Sequence, residues 1–298
     1  MENFNKYADV FCDPTFKYLF GEAGKRSLIS LLSTFLGIPD IEEITYLPTE
    51  KIGLGKGDKR THYDIACKTS DGRRFIVEAQ VAEQEYFNYR AILYLSRMVG
   101  SAVRDADEKA KGKGEVWNYE FSPIYLLTLF KGTDELSHSS SDCIHTYRMK
   151  DVCTGDDMNA EVSITFVELG KYNEGIHQGK LEQWLYTLRN IENLDDMPDW
   201  ITDSEIQEFY NMAEVANLPI SVREEIDKFM TTEQDWKNAL NYAEKKSYKK
   251  GLTEGKAEGL AEGKIEIAKA MMLAGEPIEK IVLYSELTEE QIKALGNN

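Results

Sequence analysis

YDIACKTSDGRRFIVEAQ, residues 63–80, reads as two strands joined by a Ser70-Asp71-Gly72 turn. Tyr63, Ile65 and Cys67, then Phe75, Val77, Ala79 and Val81, alternate with other residues, so one face of the hairpin is expected to be core. With Asp71 at the centre of the turn, Asp64 falls opposite Glu78, and His62, Asp64, Glu78 and Gln80 share the other face. Two opposed carboxylates repel each other unless a cation lies between them, and oxygen ligands of this kind suit a hard ion such as Mg²⁺ or Mn²⁺. The same pair also reads as two solvated acids on an open sheet face. His62 reads as a solvated histidine or, less simply, as a ligand or base.

Outward from the hairpin, helices and strands alternate. Asp13-Pro14 looks like the capped start of a helix, with Asp13 as N-cap, and Phe16, Leu19 and Phe20 on one face. Leu28, Leu31, Leu32 and Phe35 give a second helix after the breaks at Gly21 and Gly24. IEEITYLPTE and a Gly/Lys-rich stretch, KIGLGKGDKR, lead from there into the hairpin. After the hairpin come a helix from Gln84 to about Ala106, a continuous apolar strand PIYLLTLF (123–130) and strands at HTYRM (145–149) and VSITFVEL (162–169). An uninterrupted apolar strand belongs mid-sheet with both faces covered. After Lys171 the pattern is helical throughout. Gly251, Gly255, Gly259 and Gly263 then recur every four residues, and short helices close the chain with breaks near Gly275 and Ser285.

Composition narrows the class. The 298 residues carry 35 Lys+Arg against 52 Asp+Glu, a net charge of −17, with 42% hydrophobic residues. That is ample for a core. No apolar run approaches the ~18 residues of a membrane helix. The polar N-terminus is not a secretory signal, and Cys12, Cys67, Cys143 and Cys153 form no paired motif. A cytoplasmic protein with reduced thiols and no membrane partner is expected. The charge is uneven: residues 1–135 net −3, residues 136–298 net −14, and residues 181–235 alone net −11. The excess that would repel a nucleic acid therefore belongs to the helical half.

The order of these parts resembles the PD-(D/E)XK nuclease superfamily, and most of all its Rpn branch of recombination-promoting, transposase-like nucleases. DPTFKYLFG (13–21) resembles the branch's opening segment, and YDIACKTSDGRRFIVEAQ its Asp…Glu-x-Gln core. FNYRAILYLSRM (87–98) resembles its Arg-x-x-x-Tyr helix, ITFVELGKY (164–172) its closing strand, and EGKAEGLAEGKIEIAKAMMLAGEPIEKI its tail. The resemblance implies an α/β fold with a restriction-endonuclease-like mixed sheet over residues 1–175, an acidic helical region over 176–248 and a Glu-Gly repeat with a small helical unit over 249–298. It implies a Mg²⁺-dependent DNA endonuclease, with Mn²⁺ as substitute, serving recombination, mobile elements or defence.

In that scheme Asp64, Glu78 and the Ala79 carbonyl would hold the metal. Gln80 stands where the superfamily has Lys; an amide can orient a water but supplies neither charge nor base. Asp13 matches the opening acid and would be a distant member of the site, against its plainer reading as an N-cap. Tyr86, Arg90, Tyr94 and Arg97 lie along one helical stripe, with Arg90 and Tyr94 as phosphate contacts. Lys56, Lys59, Arg60, Arg73 and Arg74 flank the hairpin, and Lys59 and Arg60 are candidates for substrate binding. The Gln80 departure leaves room for a catalytically silent binding module. The acidic helices 181–235 also suit a protein-binding or DNA-mimicking surface that restrains the nuclease, in which case deleting residues 176–298 would raise cleavage. The glycine repeat suits self-association into a homo-oligomer, or else a frayed linker.

Overall fold

The computed structural model describes residues 5–51, 61–81, 86–132, 140–158, 162–175 and 179–295. The chain divides into two compact units, 1–229 and 230–298. The boundary expected at 175/176 lies inside the first unit, and that at 248/249 inside the second.

The first unit is built on a six-stranded sheet of order β1-β4-β5-β6-β8-β7. Its strands are β1 (Ile44–Tyr46), β4 (Ile65–Thr69), β5 (Arg74–Gln80), β6 (Ile124–Phe130), β7 (Ile144–Arg148) and β8 (Val162–Glu168). β2 (Glu50–Lys51) and β3 (Thr61–His62) form a separate two-stranded ribbon. β4 and β5 pair antiparallel with Ile65 opposite Val77 and Cys67 opposite Phe75, the register expected from a turn centred on Asp71. β5, β6 and β8 run parallel, and β7 closes the edge antiparallel to β8. The apolar run of β6 lies between β5 and β8, with Leu126, Leu127 and Leu129 fully buried.

Both faces of the sheet are covered. On one face, Ile65, Cys67, Phe75, Val77 and Leu127 meet helices α1 (Asp13–Phe20), α2 (Lys25–Leu36), α4 (Lys180–Asn190) and α5 (Ser204–Ala213). Phe20, Trp184 and Phe209 are the aromatic centre of that layer, and Trp184 Nε1 donates to Ser30 Oγ at 3.1 Å. On the other face, Ala66, Ile76, Leu126, Phe130 and Phe166 meet α3 (Phe87–Gly112) through Phe87, Ala91, Tyr94 and Met98.

The hairpin therefore has no open polar face, and the reading of Asp64 and Glu78 as solvated acids fails because α3 covers them. Tyr63 also departs from expectation: it packs with α3, because the chain bends at Asp64 before β4 begins. Val81, expected in the core, is 56% exposed. Helices α4 and α5 share one core with α1 and α2, so deleting residues 176–298 would strip Trp184, Leu188 and Phe209 from the sheet, and cleavage by such a fragment would report unfolding.

Local chemistry explains the entry into this core. α1 begins one residue earlier than expected: Cys12 is the N-cap, Asp13 the first helical residue and Pro14 the second, and no side chain caps the helix. Asp13 is thus no N-cap. α1 and α2 are joined by a tight turn in which a Cβ at Gly21 would lie 2.1 Å from the Lys17 carbonyl, and one at Gly24 1.8 Å from that of Leu19. Only glycine fits either position.

Helix α6 (Ile220–Leu273) runs unbroken through the glycine repeat. Once nucleated, a helix propagates cheaply, and Ala, Leu, Lys and Glu between the glycines are strong helix formers. In the second unit its C-terminal turns pack on α7 (Ile278–Ser285) and α8 (Glu289–Leu295) through Ala268, Ile281 and Ile292. A Cβ at any of the four repeat glycines would meet nothing within 4 Å.

Candidate active site

The β4–β5 ladder ends at Ile65 and Val77, so the last residues of β5 lack a strand partner on that side. Asp64 takes the vacated place: the Ala79 N–H donates to Asp64 Oδ2 at 2.8 Å. In return the Asp64 N–H donates to Glu78 Oε1 at 3.2 Å. The two acids are thus locked together by backbone amides. The Gln80 carbonyl accepts from the Lys131 N–H on the β6 side. By strand alternation the Ala79 carbonyl points to the opposite side, where the Asp64 carboxylate sits.

Glu78 is fully buried and Asp64 half-buried. Burial pushes the Glu78 carboxyl well above its ordinary range, and the nearby Asp64 charge pushes it further; Arg90, the Asp64 amide and Lys17 oppose this. Asp64 is raised as well, chiefly by burial, against the Ala79 amide, with Asp13 adding repulsion and Lys17 and Arg90 relief. Two desolvated carboxyls, one raised further by the charge of the other, are what a bound cation would relieve.

Helix α3 supplies the counter-charge. Arg90 Nη2 donates to Glu78 Oε2 at 3.4 Å, and its Nε donates to the Tyr94 hydroxyl at 2.7 Å. The guanidinium lies over the Tyr94 ring at 5.1 Å and the Phe87 ring at 5.7 Å. Tyr63 completes the wall: its hydroxyl donates to the Tyr94 carbonyl and its ring meets that of Tyr94 edge-on. Tyr94 is only 6% exposed, so it orients Arg90 rather than presenting itself to solvent.

Of the residues expected in the site, Asp64, Glu78, Ala79, Arg90 and Tyr94 come together. Gln80 lies beyond Glu78 on the same face of β5 and is buried. Asp13 is near enough to repel Asp64 but is paired with Lys17 at 2.8 Å. Lys59, Arg60 and Lys56 lie outside the described residues. His62 is exposed and opposes Glu50 in the ribbon. Arg73 is tied to Asp40 and Asp71, and buried Arg74 to Asp105, all away from Glu78. Lys17 was missed from sequence, although it stands in the opening segment four residues after Asp13. Its ammonium bears on both site carboxylates.

A family model described as PD-(D/E)XK nuclease family transposase matches residues 10–243. The chain belongs to that family. The match takes in both acids, the mixed sheet and α1 to α5, and makes this a domain of nuclease and transposase type. No curated protein and no solved structure matches the chain.

The donor set fits the divalent metal such nucleases use. It is all oxygen, carries two acids in electrostatic conflict and has a backbone carbonyl directed to the same side. Among the described residues no group of three or more His, Cys, Asp or Glu side chains could hold an ion. Mg²⁺ tolerates this, since one or two carboxylates with waters and substrate phosphates complete its shell.

Proposed function

We propose that this PD-(D/E)XK protein hydrolyses phosphodiester bonds within DNA, using Mg²⁺ (or Mn²⁺ in its place) held by Asp64, Glu78 and the Ala79 carbonyl. The observation that carries the reading is the interlocked pair: a fully buried Glu78 and a half-buried Asp64, each held by a backbone amide at the other, with both carboxyls raised chiefly by burial and Glu78 raised further by the Asp64 charge. When bound, the ion supplies charge neutralisation on a phosphate oxygen and acidifies a water.

The chain's own groups divide the remaining work. Arg90, oriented by Tyr94, is 33% exposed and offers charge-assisted hydrogen bonds to a phosphate as its charge grows. Gln80 orients the attacking water through its amide and abstracts no proton. Lys17 supplies the cation that the superfamily places at the position of Gln80, from α1 instead of β5. The attacking water oxygen bonds to phosphorus and gives its proton to a substrate phosphate oxygen or to solvent, the bond to the leaving deoxyribose oxygen breaks, and that oxygen takes up a proton.

Plasmid nicking with and without Mg²⁺ tests this: wild type should nick only with the metal, and Asp64→Ala and Glu78→Ala should not nick. Unchanged nicking by either variant would remove the site assignment. A catalytically silent binding module is the second reading, favoured by Gln80 and by the Arg90 contact to Glu78. Calorimetric titration with Mn²⁺ separates the two, because absent binding, or binding indifferent to Glu78→Gln, supports the silent module.

Recombination, mobile-element movement or defence are the settings this activity suits. Among the described residues no helix is long and apolar enough to cross a membrane. All four cysteines are free, which suits the reducing cytoplasm proposed as its setting. The uncovered glycine face of α6 is where a second copy of the chain would dock.

A further inference from the structure

Helix α3 carries more than the site needs. Arg90, Arg97 and Arg104 are spaced seven apart, so successive arginines turn back by only about 20° and advance by roughly 10.5 Å. The segment from Tyr86 to Arg104 contains no Asp or Glu, in a chain with 52 of them and a net charge of −17. The first acid beyond it, Asp105, is paired with Arg74. Among the described residues neither Arg97 nor Arg104 has an acidic partner, and Arg104 is exposed. One helix stripe is therefore kept positive on an acidic protein, and it starts at the arginine that touches Glu78.

Large apolar rings lie beside the same stripe. Tyr86 is 67% exposed and Tyr89 73%, and the two rings lie 6.3 Å apart at the end of α3 nearest the acids. A duplex presents phosphates outward and stacks its bases inside, so it would leave these rings in water. An unpaired strand offers both partners: phosphates for the arginines and base faces for the tyrosines.

We infer that this stripe of α3 is a track for single-stranded DNA, with Tyr86 and Tyr89 stacking on unpaired bases next to the site and Arg97 and Arg104 holding phosphates further along. This rests on the nuclease reading and names its substrate class: single strands, or the unpaired segments of branched DNA.

Binding measured in EDTA keeps the test apart from cleavage. Fluorescence anisotropy of a labelled oligothymidylate and of a hairpin duplex of equal length would be followed on the full chain across a salt series. Wild type should prefer the single strand. Tyr86→Asn with Tyr89→Ala should weaken single-strand binding by about 10-fold or more and leave duplex binding unchanged, while Tyr89→Phe keeps it. Asn is chosen at position 86 because the backbone there is left-handed, at φ 69°. Arg97→Gln with Arg104→Gln should weaken both ligands and flatten the logarithmic salt slope for the single strand by about 1.4. A wild-type preference for duplex, or tyrosine variants that bind the single strand as wild type does, would overturn the track. If nicking requires Asp64 while these variants bind normally, the track alone falls. If nicking ignores Asp64 while they behave as expected, the catalytic reading falls and the track stands.

Discussion

Glu78→Gln should make the metal-free protein more stable at neutral pH. The Glu78 carboxylate is fully buried, and its two polar contacts are long, 3.2 Å from the Asp64 amide and 3.4 Å from Arg90. Arg90 is 33% exposed, so its attraction is weakened by solvent, whereas the repulsion from Asp64 is not relieved. Burying a charge with such incomplete compensation costs about 1–3 kcal/mol, and the neutral amide keeps the volume and the acceptor for the Asp64 N–H. For a unit of this size ~1 kcal/mol moves the melting temperature by about 2–4 °C.

The pH dependence has a definite sign. A carboxyl whose folded pKa is raised above the ordinary 4.5 contributes stability below that value and loses it as pH rises through the folded pKa. The advantage of Glu78→Gln should therefore be present at pH 7.5 and vanish toward pH 4, where wild type is protonated. Adding Mg²⁺ at about 100 times its dissociation constant should stabilise wild type by ~2.7 kcal/mol and the variant far less. Calorimetric melting of both proteins in EDTA and in Mg²⁺, at pH 4 and 7.5, covers four conditions for each protein. A lower melting temperature for the variant at pH 7.5 in EDTA, or a gain that persists at pH 4, would refute the reasoning.

Other consequences follow from the packing and the site. Trp184→Ala should destabilise the first unit by about 3–5 kcal/mol in denaturant titration, because the ring is fully buried among Phe20 and Phe209. Truncation after residue 175 should give a chain without cooperative melting, whereas truncation after 229 should still melt cooperatively. Gly255→Ala with Gly259→Ala should raise helicity and stabilise α6 by ~1 kcal/mol each, since the added methyls meet nothing within the chain; loss of oligomer mass in sedimentation would show that a second copy uses that face. Lys17→Ala should lower the nicking kcat by about 10-fold or more, with Lys17→Arg retaining part of it.

The hairpin was legible because strand alternation and a three-residue turn leave few registers, and one residue of slip would have turned Phe75 and Val77 out of the core. Residues 123–130 were legible as a central strand because only burial on both faces tolerates so unbroken an apolar run. The burial of Asp64 and Glu78 was not legible: acids on one face look the same whether the neighbour is water or a helix, and α3 arrives by tertiary packing. The place of α4 and α5 was hidden by charge. Their acids lie on the outer surface while Trp184, Leu188 and Phe209 build the same layer as Phe20, and net charge registers only the first. Lys17 was overlooked because nothing local links α1 to β5; the two meet only through the core.

Metal-dependent nicking of supercoiled plasmid by wild type, Asp64→Ala and Glu78→Ala, with folding of each variant checked by melting, tests the central claim most directly. The account predicts nicking by wild type that requires Mg²⁺ or Mn²⁺ and is abolished in both folded variants. Nicking by wild type in EDTA, or undiminished nicking by either folded variant, would contradict it.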